Sequence, residues 1–232
     1  MEDSFLYTDS WKNKEVFKNQ LELNQQQLND QYPVHWNHFI DILLHLKTSN
    51  LLDIGCGVGE ICDICSKRFL NYPDNVPTCN ECLQNPSIRR QRSRNSTPIA
   101  FLFEDYSEEA INIAQEHWPS HTWYVKDYNQ ITPDFVKAYD TIHAGAFLDV
   151  LPNGDEVLRL LLGLDVKNVF IGRAKITEKP SYFETYTAYN KITTYAYHHN
   201  INNLKNLAEV NGYSLSFLGV QEQCNLIFQK NL

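Results

Sequence analysis

The stretch Leu51-Leu52-Asp53-Ile54-Gly55-Cys56-Gly57-Val58-Gly59-Glu60 decides how this chain folds. A short apolar run enters three glycines spaced by single residues and leaves into the helical Glu60-Ile61-Cys62. Glycine lets the backbone turn sharply and pass close to a ligand, where a Cβ would collide. A bare glycine pattern is weak evidence, but one that follows a strand and opens a helix is much stronger. A dinucleotide turn of the form G-x-G-x-x-G needs glycine where Glu60 stands, and a carboxylate is a poor neighbour for a pyrophosphate at a helix N-terminus. No Gly-Lys-Ser/Thr follows, so a P-loop is excluded too. A nucleotide-like ligand without phosphate fits the turn better.

Working outward, short apolar strands are expected at 99–103, 122–125, 141–144 and 169–172. Helices are expected from Ser107 through the stripe Ala110, Ile111, Ile113 and Ala114, and over 154–164. Upstream, residues 16–47 show two helical patterns separated by Pro33. The second, around Trp36, Phe39, Ile40, Leu43, Leu44 and Leu46, has the better apolar face; the Gln/Asn-rich first is a candidate to fold over a ligand. Downstream, 204–210 reads as a helix stopped by Gly212, and 213–218 and 225–229 as closing strands. The connection between these two is too short for a crossover, so they pair antiparallel. The pattern predicts an α/β fold: a Rossmann-like mixed seven-stranded sheet with helices on both faces and an antiparallel last strand.

With 232 residues, a formal net charge of -8 and 43% hydrophobic residues, the chain reads as one ordinary domain. A disordered tail protein is excluded. Residues 1–14 lack a signal-peptide core and no run approaches 18 apolar residues, so the expectation is a cytoplasmic protein without a membrane span. Composition breaks once, over 71–98, where Pro, Asn, Ser and Arg dominate. Arg89, Arg90, Arg92 and Arg94 fall there, as a solvated basic loop or as a phosphate-contacting patch.

Cys62-Asp63-Ile64-Cys65 and Cys79-Asn80-Glu81-Cys82 form a C-x2-C…C-x2-C pattern. Two such thiolate pairs can converge on one tetrahedral zinc, and a polar insertion without a core needs such a staple. A structural zinc site at Cys62, Cys65, Cys79 and Cys82 is therefore expected within an insertion at 62–98. The competing reading makes the first two cysteines core residues of a helix and the others free loop thiols; an iron-sulfur centre is open on ligand type alone.

Four segments in order carry a resemblance to the class I S-adenosylmethionine-dependent methyltransferases, from about Leu51 to Leu232. The glycine turn resembles that family's first motif, and Glu104-Asp105-Tyr106-Ser107 its second. Val125-Lys126-Asp127-Tyr128 resembles the third, and Tyr139-Asp140-Thr141-Ile142-His143-Ala144-Gly145-Ala146-Phe147 the fourth. The resemblance implies a cofactor site at Asp53, Gly55, Cys56, Gly57, Gly59, Asp105, Tyr106, Asp127, Tyr128 and His143. In it Asp105 grips the ribose hydroxyls and Asp127 accepts from the adenine amino group. It also implies a helical segment at 1–48 ahead of a methyltransferase domain at 49–232. One departure is large: Asp105 follows Gly59 by 46 positions instead of about 20. An insertion between the first helix and second strand accounts for both the surplus and the break in composition.

On that resemblance, loops after the fourth and fifth strands supply the acceptor pocket. His143 is the first candidate base, because imidazole titrates near neutrality, with His198 next. As an alternative, His143 is simply a hydrogen-bonded residue at a strand end. Arg173 either fixes an anionic group on the acceptor or pairs with Asp149 or Glu178. The aromatics Tyr182, Phe183, Tyr186, Tyr189, Tyr195 and Tyr197 read as a lid or substrate wall, or as a helix packed by its tyrosines. The Asn/Asp-Pro-Pro-Tyr/Phe motif of base amino-methyltransferases is absent at the fourth strand, as is a proline-cysteine nucleophile. With the acidic balance, a small-molecule O or N acceptor leads, a protein acceptor follows, and RNA read through the arginine-bearing insertion is third. A non-catalytic cofactor- and zinc-binding module is the alternative of a different class.

Overall fold

The computed structural model describes residues 11–30, 38–62, 100–189, 192–220 and 223–231. The described strands are β1 (Asn50–Ile54), β2 (Ala100–Asp105), β3 (Thr122–Val125), β4 (Thr141–Gly145), β5 (Asn168–Thr177), β6 (Tyr182–Ala188), β7 (Ile192–Asn200), β8 (Tyr213–Val220) and β9 (Gln223–Lys230). The helices are α1 (Lys14–Asp30), α2 (Phe39–His45), α3 (Glu108–His117), α4 (Pro133–Val136), α5 (Gly154–Gly163) and α6 (Ile201–Val210). The core sheet runs β3-β2-β1-β4-β5-β9-β8. Its first five strands are parallel, while β9 is antiparallel to both β5 and β8. This is the mixed seven-stranded sheet that the sequence pattern predicts.

Two apolar layers hold it. Side chains alternate across β5, so Val169 and Ile171 face one layer and Phe170 the other. On the first face Leu52, Ile142 and Leu226 pack under Val157, Leu158, Leu161 and Leu162 of α5 and Leu204 and Leu207 of α6. On the second, Leu51, Phe103 and Ile227 meet Phe39, Ile42 and Leu43 of α2 and Ile111 of α3. Parallel strands covered on both faces read as continuous apolar runs, which is why β1 and β4 are buried nearly end to end. Helix ends follow their local signals. Ser107 caps α3 by accepting from the Ala110 amide at 3.4 Å, and Asn200 caps α6 through the amides of Asn202 and Asn203.

Two elements differ from expectation. The fifth strand runs on to Thr177, because its second half, Lys175 to Thr177, pairs in parallel with β7. The aromatic segment is an antiparallel hairpin, β6 on β7, with Thr185 opposite Tyr195, and not a tyrosine-packed helix.

The expected zinc site is corrected. Among the described residues no group of three or more His, Cys, Asp or Glu side chains could hold a metal ion. Cys62 is fully buried in the apolar layer with Phe39, Leu43, Phe103 and Ile111, where a thiol acts as a small hydrophobe. Cys65, Cys79 and Cys82, most of the insertion at 62–98, and the four arginines lie outside the described residues. No helix among the described residues is long and apolar enough to cross a membrane.

Candidate active site

The carboxyl ends of β1, β2, β4 and β5 open onto one cavity of about 570 Å³, within the ~300–1,000 Å³ of small-molecule sites. Asp53, Gly55, Cys56, Gly57, Asp105, Tyr106, His143 and Arg173 all line it. The structure thus brings together residues 120 positions apart that the motifs had picked out separately.

The glycine turn forms the floor. Gly55 has φ +66°, and a Cβ there would lie 2.5 Å from the Phe147 ring, so both backbone and space require glycine. The turn is tied to β2 twice: the Cys56 amide donates to the Glu104 carbonyl at 3.0 Å, and the Gly57 amide to Asp105 Oδ2 at 2.9 Å. Asp105 Oδ1 accepts from the Ser107 amide at 2.8 Å. Burial pushes the Asp105 carboxyl up to about 6, although the Ser107 and Gly57 amides pull the other way. Beside it Glu104 is buried, and desolvation with the neighbouring charges of Asp105, Asp127 and Asp53 raises its carboxyl well above the ordinary range. Burial and the charges of Asp105, Asp53 and Glu104 raise the Cys56 thiol, which disfavours a reactive thiolate there.

His143 and Asp53 sit opposite each other on β4 and β1 and bond through Nδ1 and Oδ1 at 2.6 Å. Phe39 and Phe170 pack edge-on against the imidazole, each with centroids 4.8 Å away. The carboxylate on Nδ1 fixes the orientation of the ring, and His143 lines the cavity. Arg173 has φ +61° and donates from Nε and Nη2 to Asp149 Oδ2 at 3.1 and 2.9 Å. Of the two partners expected for it, Asp149 is the one found. The attraction of Asp149 raises the guanidinium further above its already high range.

The other expected residues stand outside the lining. Gly59 packs under Trp123 and Trp118. Asp127 caps the 3-10 turn Tyr128–Gln130 by accepting from the Asn129 amide, and Tyr128 meets the lining residue Phe147 edge-on at 5.7 Å. His198 stacks on Tyr182 in the hairpin, with centroids 4.5 Å apart, away from the cavity. Wall residues that motif reading does not single out include Gln20 and Asn24 of α1 and Gln223, and Glu60 joins them. Glu60 Oε1 accepts from Gln20 Nε2 at 2.9 Å, and burial raises its carboxyl despite that bond. The Gln/Asn-rich helix was the one available signal for the first two.

No protein-family model matches the sequence, and no curated protein is similar to it in sequence. Solved structures are similar in fold. Human N-acetylserotonin methyltransferase in complex with S-adenosylmethionine gives a TM-score of 0.62 at 11% identity, covering 100% of this chain and 60% of that one. An S-adenosylmethionine-dependent methyltransferase from Clostridium acetobutylicum gives 0.59 at 9%, covering 92% and 98%. Magnesium protoporphyrin IX methyltransferase from Synechocystis PCC 6803 with bound S-adenosylmethionine gives 0.51 at 15%, covering 99% and 92%. At such identities the likeness is one of architecture: the chain has the Rossmann-like fold of S-adenosylmethionine-dependent methyltransferases.

Proposed function

We propose that this protein transfers the methyl group of S-adenosylmethionine to a small-molecule O or N acceptor. The observation that carries the reading is the junction of Asp105 with the Gly55–Gly57 turn at one cavity, whose far wall is built by Arg173, Tyr186 and Tyr189. The residues fit a phosphate-free adenosine ligand. The glycine turn presents bare backbone to the cavity, and the wall carries the carboxylates of Asp53, Glu60 and Asp105, where a pyrophosphate would be repelled.

Asp105, oriented by the Gly57, Ser107 and Tyr106 amides, lines the cavity and is the carboxylate that accepts from the two ribose hydroxyls. Gly55, Cys56 and Gly57 present backbone to the methionyl part. S-adenosylmethionine supplies a methyl already activated as a sulfonium, so alignment and exclusion of water account for much of the rate. Phe17 and Trp11 from the N-terminal side, with Ala188 and Tyr189 from the hairpin, give the cavity an apolar wall. His143, held by Asp53, is the group placed to take a proton from the acceptor.

Two measurements test this. Calorimetric titration is expected to give micromolar affinity for S-adenosylmethionine and its demethylated product. Incubation with methyl-labelled S-adenosylmethionine and fractionated cell extract is expected to label a compound of low mass. Labelled protein or RNA would reassign the acceptor, and tight binding without any labelled product would favour a non-catalytic role.

A further inference from the structure

Helix α1 roofs the cavity, and its anchoring explains how. Phe17 packs with Val58, Ala110 and Ile113 on one side, and Val16 with Ala188 and Ile192 of the hairpin on the other. Trp11 Nε1 donates to Thr194 Oγ1 at 3.3 Å, and its ring meets Tyr189 edge-on. A helix pinned along such a face is expected to bury apolar residues there. Instead Gln20 and Asn24, one turn apart, line the cavity.

Their polar atoms are left over. Gln20 Oε1 and Asn24 Nδ2 are buried with no close hydrogen-bond partner, the Asn24 amide only leaning towards Glu60, and Asn24 is 5% exposed. A buried polar atom without a partner costs about 1–3 kcal/mol, so two of them in a cavity wall mark a place for a polar ligand. The Gln20 amide lies directly over the glycine turn, 2.9 Å from the position of a Cβ on Gly57, and its Nε2 is fixed by Glu60. The cavity wall here therefore offers one acceptor and one donor a helical turn apart on α1, beside the Glu60 carboxyl that holds Gln20. A free α-amino acid end, with its ammonium and its carboxylate, needs that set.

We infer that Gln20 and Asn24 form, with Glu60, a subsite for the α-amino acid end of the bound ligand. Asn24 Nδ2 donates to the carboxylate; Gln20 Oε1 and Glu60 accept from the ammonium. The inference rests on the S-adenosylmethionine reading, and the probes separate the two. S-adenosylhomocysteine carries the amino acid end, whereas 5′-methylthioadenosine has the same nucleoside and lacks it.

Titration of both probes is expected to show at least tenfold tighter binding of S-adenosylhomocysteine by the unaltered protein. Asn24→Ala and Gln20→Ala are each expected to weaken S-adenosylhomocysteine at least tenfold and 5′-methylthioadenosine less than twofold. Asn24→Asp, of the same shape but with a carboxylate facing the ligand's own, guards against a folding artefact and is expected to give the same split. Equal weakening of both probes, or of neither, overturns the inference while the cofactor reading stands. Binding of neither probe by the unaltered protein overturns the cofactor reading and this subsite with it.

Discussion

Asp105 reaches back to the glycine turn, its Oδ2 accepting from the Gly57 amide at 2.9 Å while Oδ1 accepts from Ser107 at 2.8 Å. One side chain thus shapes the turn, caps the entry to α3 and faces the cavity. Hydrogen bonds to a charged group contribute about 1.5–3 kcal/mol each. Asp105→Ala is expected to weaken S-adenosylmethionine at least tenfold by calorimetry. It should also lower the melting temperature by several degrees, at ~2–4 °C per kcal/mol for a chain of this size. Unchanged affinity would remove Asp105 from the ligand site.

The raised carboxyl of Asp105, at about 6, gives a pH dependence of definite sign. Ribose hydroxyls donate to the ionised form, so affinity is expected to be level above pH 7 and to fall towards tenfold per pH unit below 6. Asp105→Asn should flatten that profile. Stability runs the other way. A carboxyl whose folded value is raised contributes stability that is complete below the unfolded value near 3.9 and is lost as pH rises through 6. The stabilisation conferred by ligand, read by differential scanning calorimetry, should therefore be larger at pH 7.5 than at pH 5.

The central parallel strands were legible because each is a short apolar run buried on both faces, as in β1 and β4, and the more exposed edge strand β3 still coincides with its expected span, Thr122–Val125. The hairpin was not, because in β7 the residues Thr194 to Tyr197 are all buried, which erases the period of two that marks a half-buried strand. The turn and Asp105 could be read because their chemistry lies in local order along the chain. Gln20 and Asn24 could be read only as part of a Gln/Asn-rich helix that was a candidate to cover a ligand, since polar residues on a helix signal solvent until the opposing surface is known. Cys62 shows the converse. Its spacing suits a metal ligand and a helix core position equally, and only its packing among Phe39, Phe103 and Ile111 separates the two.

Gly145 keeps the buried pair of His143 and Asp53 in place. A Cβ on Gly145 would lie 2.6 Å from His143 Cε1, and the imidazole is held between two phenylalanines with no room to retreat. Overpacking of this kind costs about 1–3 kcal/mol. Gly145→Ala is expected to destabilise by that amount and to weaken ligand binding. Gly163, at the end of α5 with nothing within 4 Å of its would-be Cβ, is the control. Gly163→Ala should leave binding alone and raise stability by up to ~1 kcal/mol.

Asp149 and Arg173 form a half-closed pair: the Asp149 side chain is 4% exposed and that of Arg173 33%. Removing one partner of a buried pair costs about 3–5 kcal/mol, and the exposure of Arg173 places this pair at or below the lower end. Arg173→Ala strands Asp149, whose Oδ1 already lacks a partner. Arg173→Ala is thus expected to be the more damaging single change, and the double variant to cost less than the two added together. Strict additivity in denaturant melts would mean that the pair has no energetic coupling.

Asp155, in the first turn of α5, fastens the hairpin that walls the cavity. It bonds His199 Nδ1 at 2.7 Å and Ser181 Oγ at 2.6 Å, and Asn203 Nδ2 at 3.3 Å. Burial alone would raise its carboxyl, but the bonds from His199 and Ser181 outweigh it and hold the group below the ordinary range. A depressed carboxyl contributes stability present above the unfolded value and lost as pH falls through the folded one. The fastening should therefore hold at neutral pH and loosen below about pH 4. Asp155→Ala leaves the fully buried His199 without its carboxylate, so hydrogen exchange should quicken over 182–200 first and over β1 and β4 least. Because Tyr186 and Tyr189 reach the cavity from that hairpin, the same variant is expected to lose turnover while 5′-methylthioadenosine still binds. Uniform quickening across the sheet would show instead that Asp155 supports the whole fold.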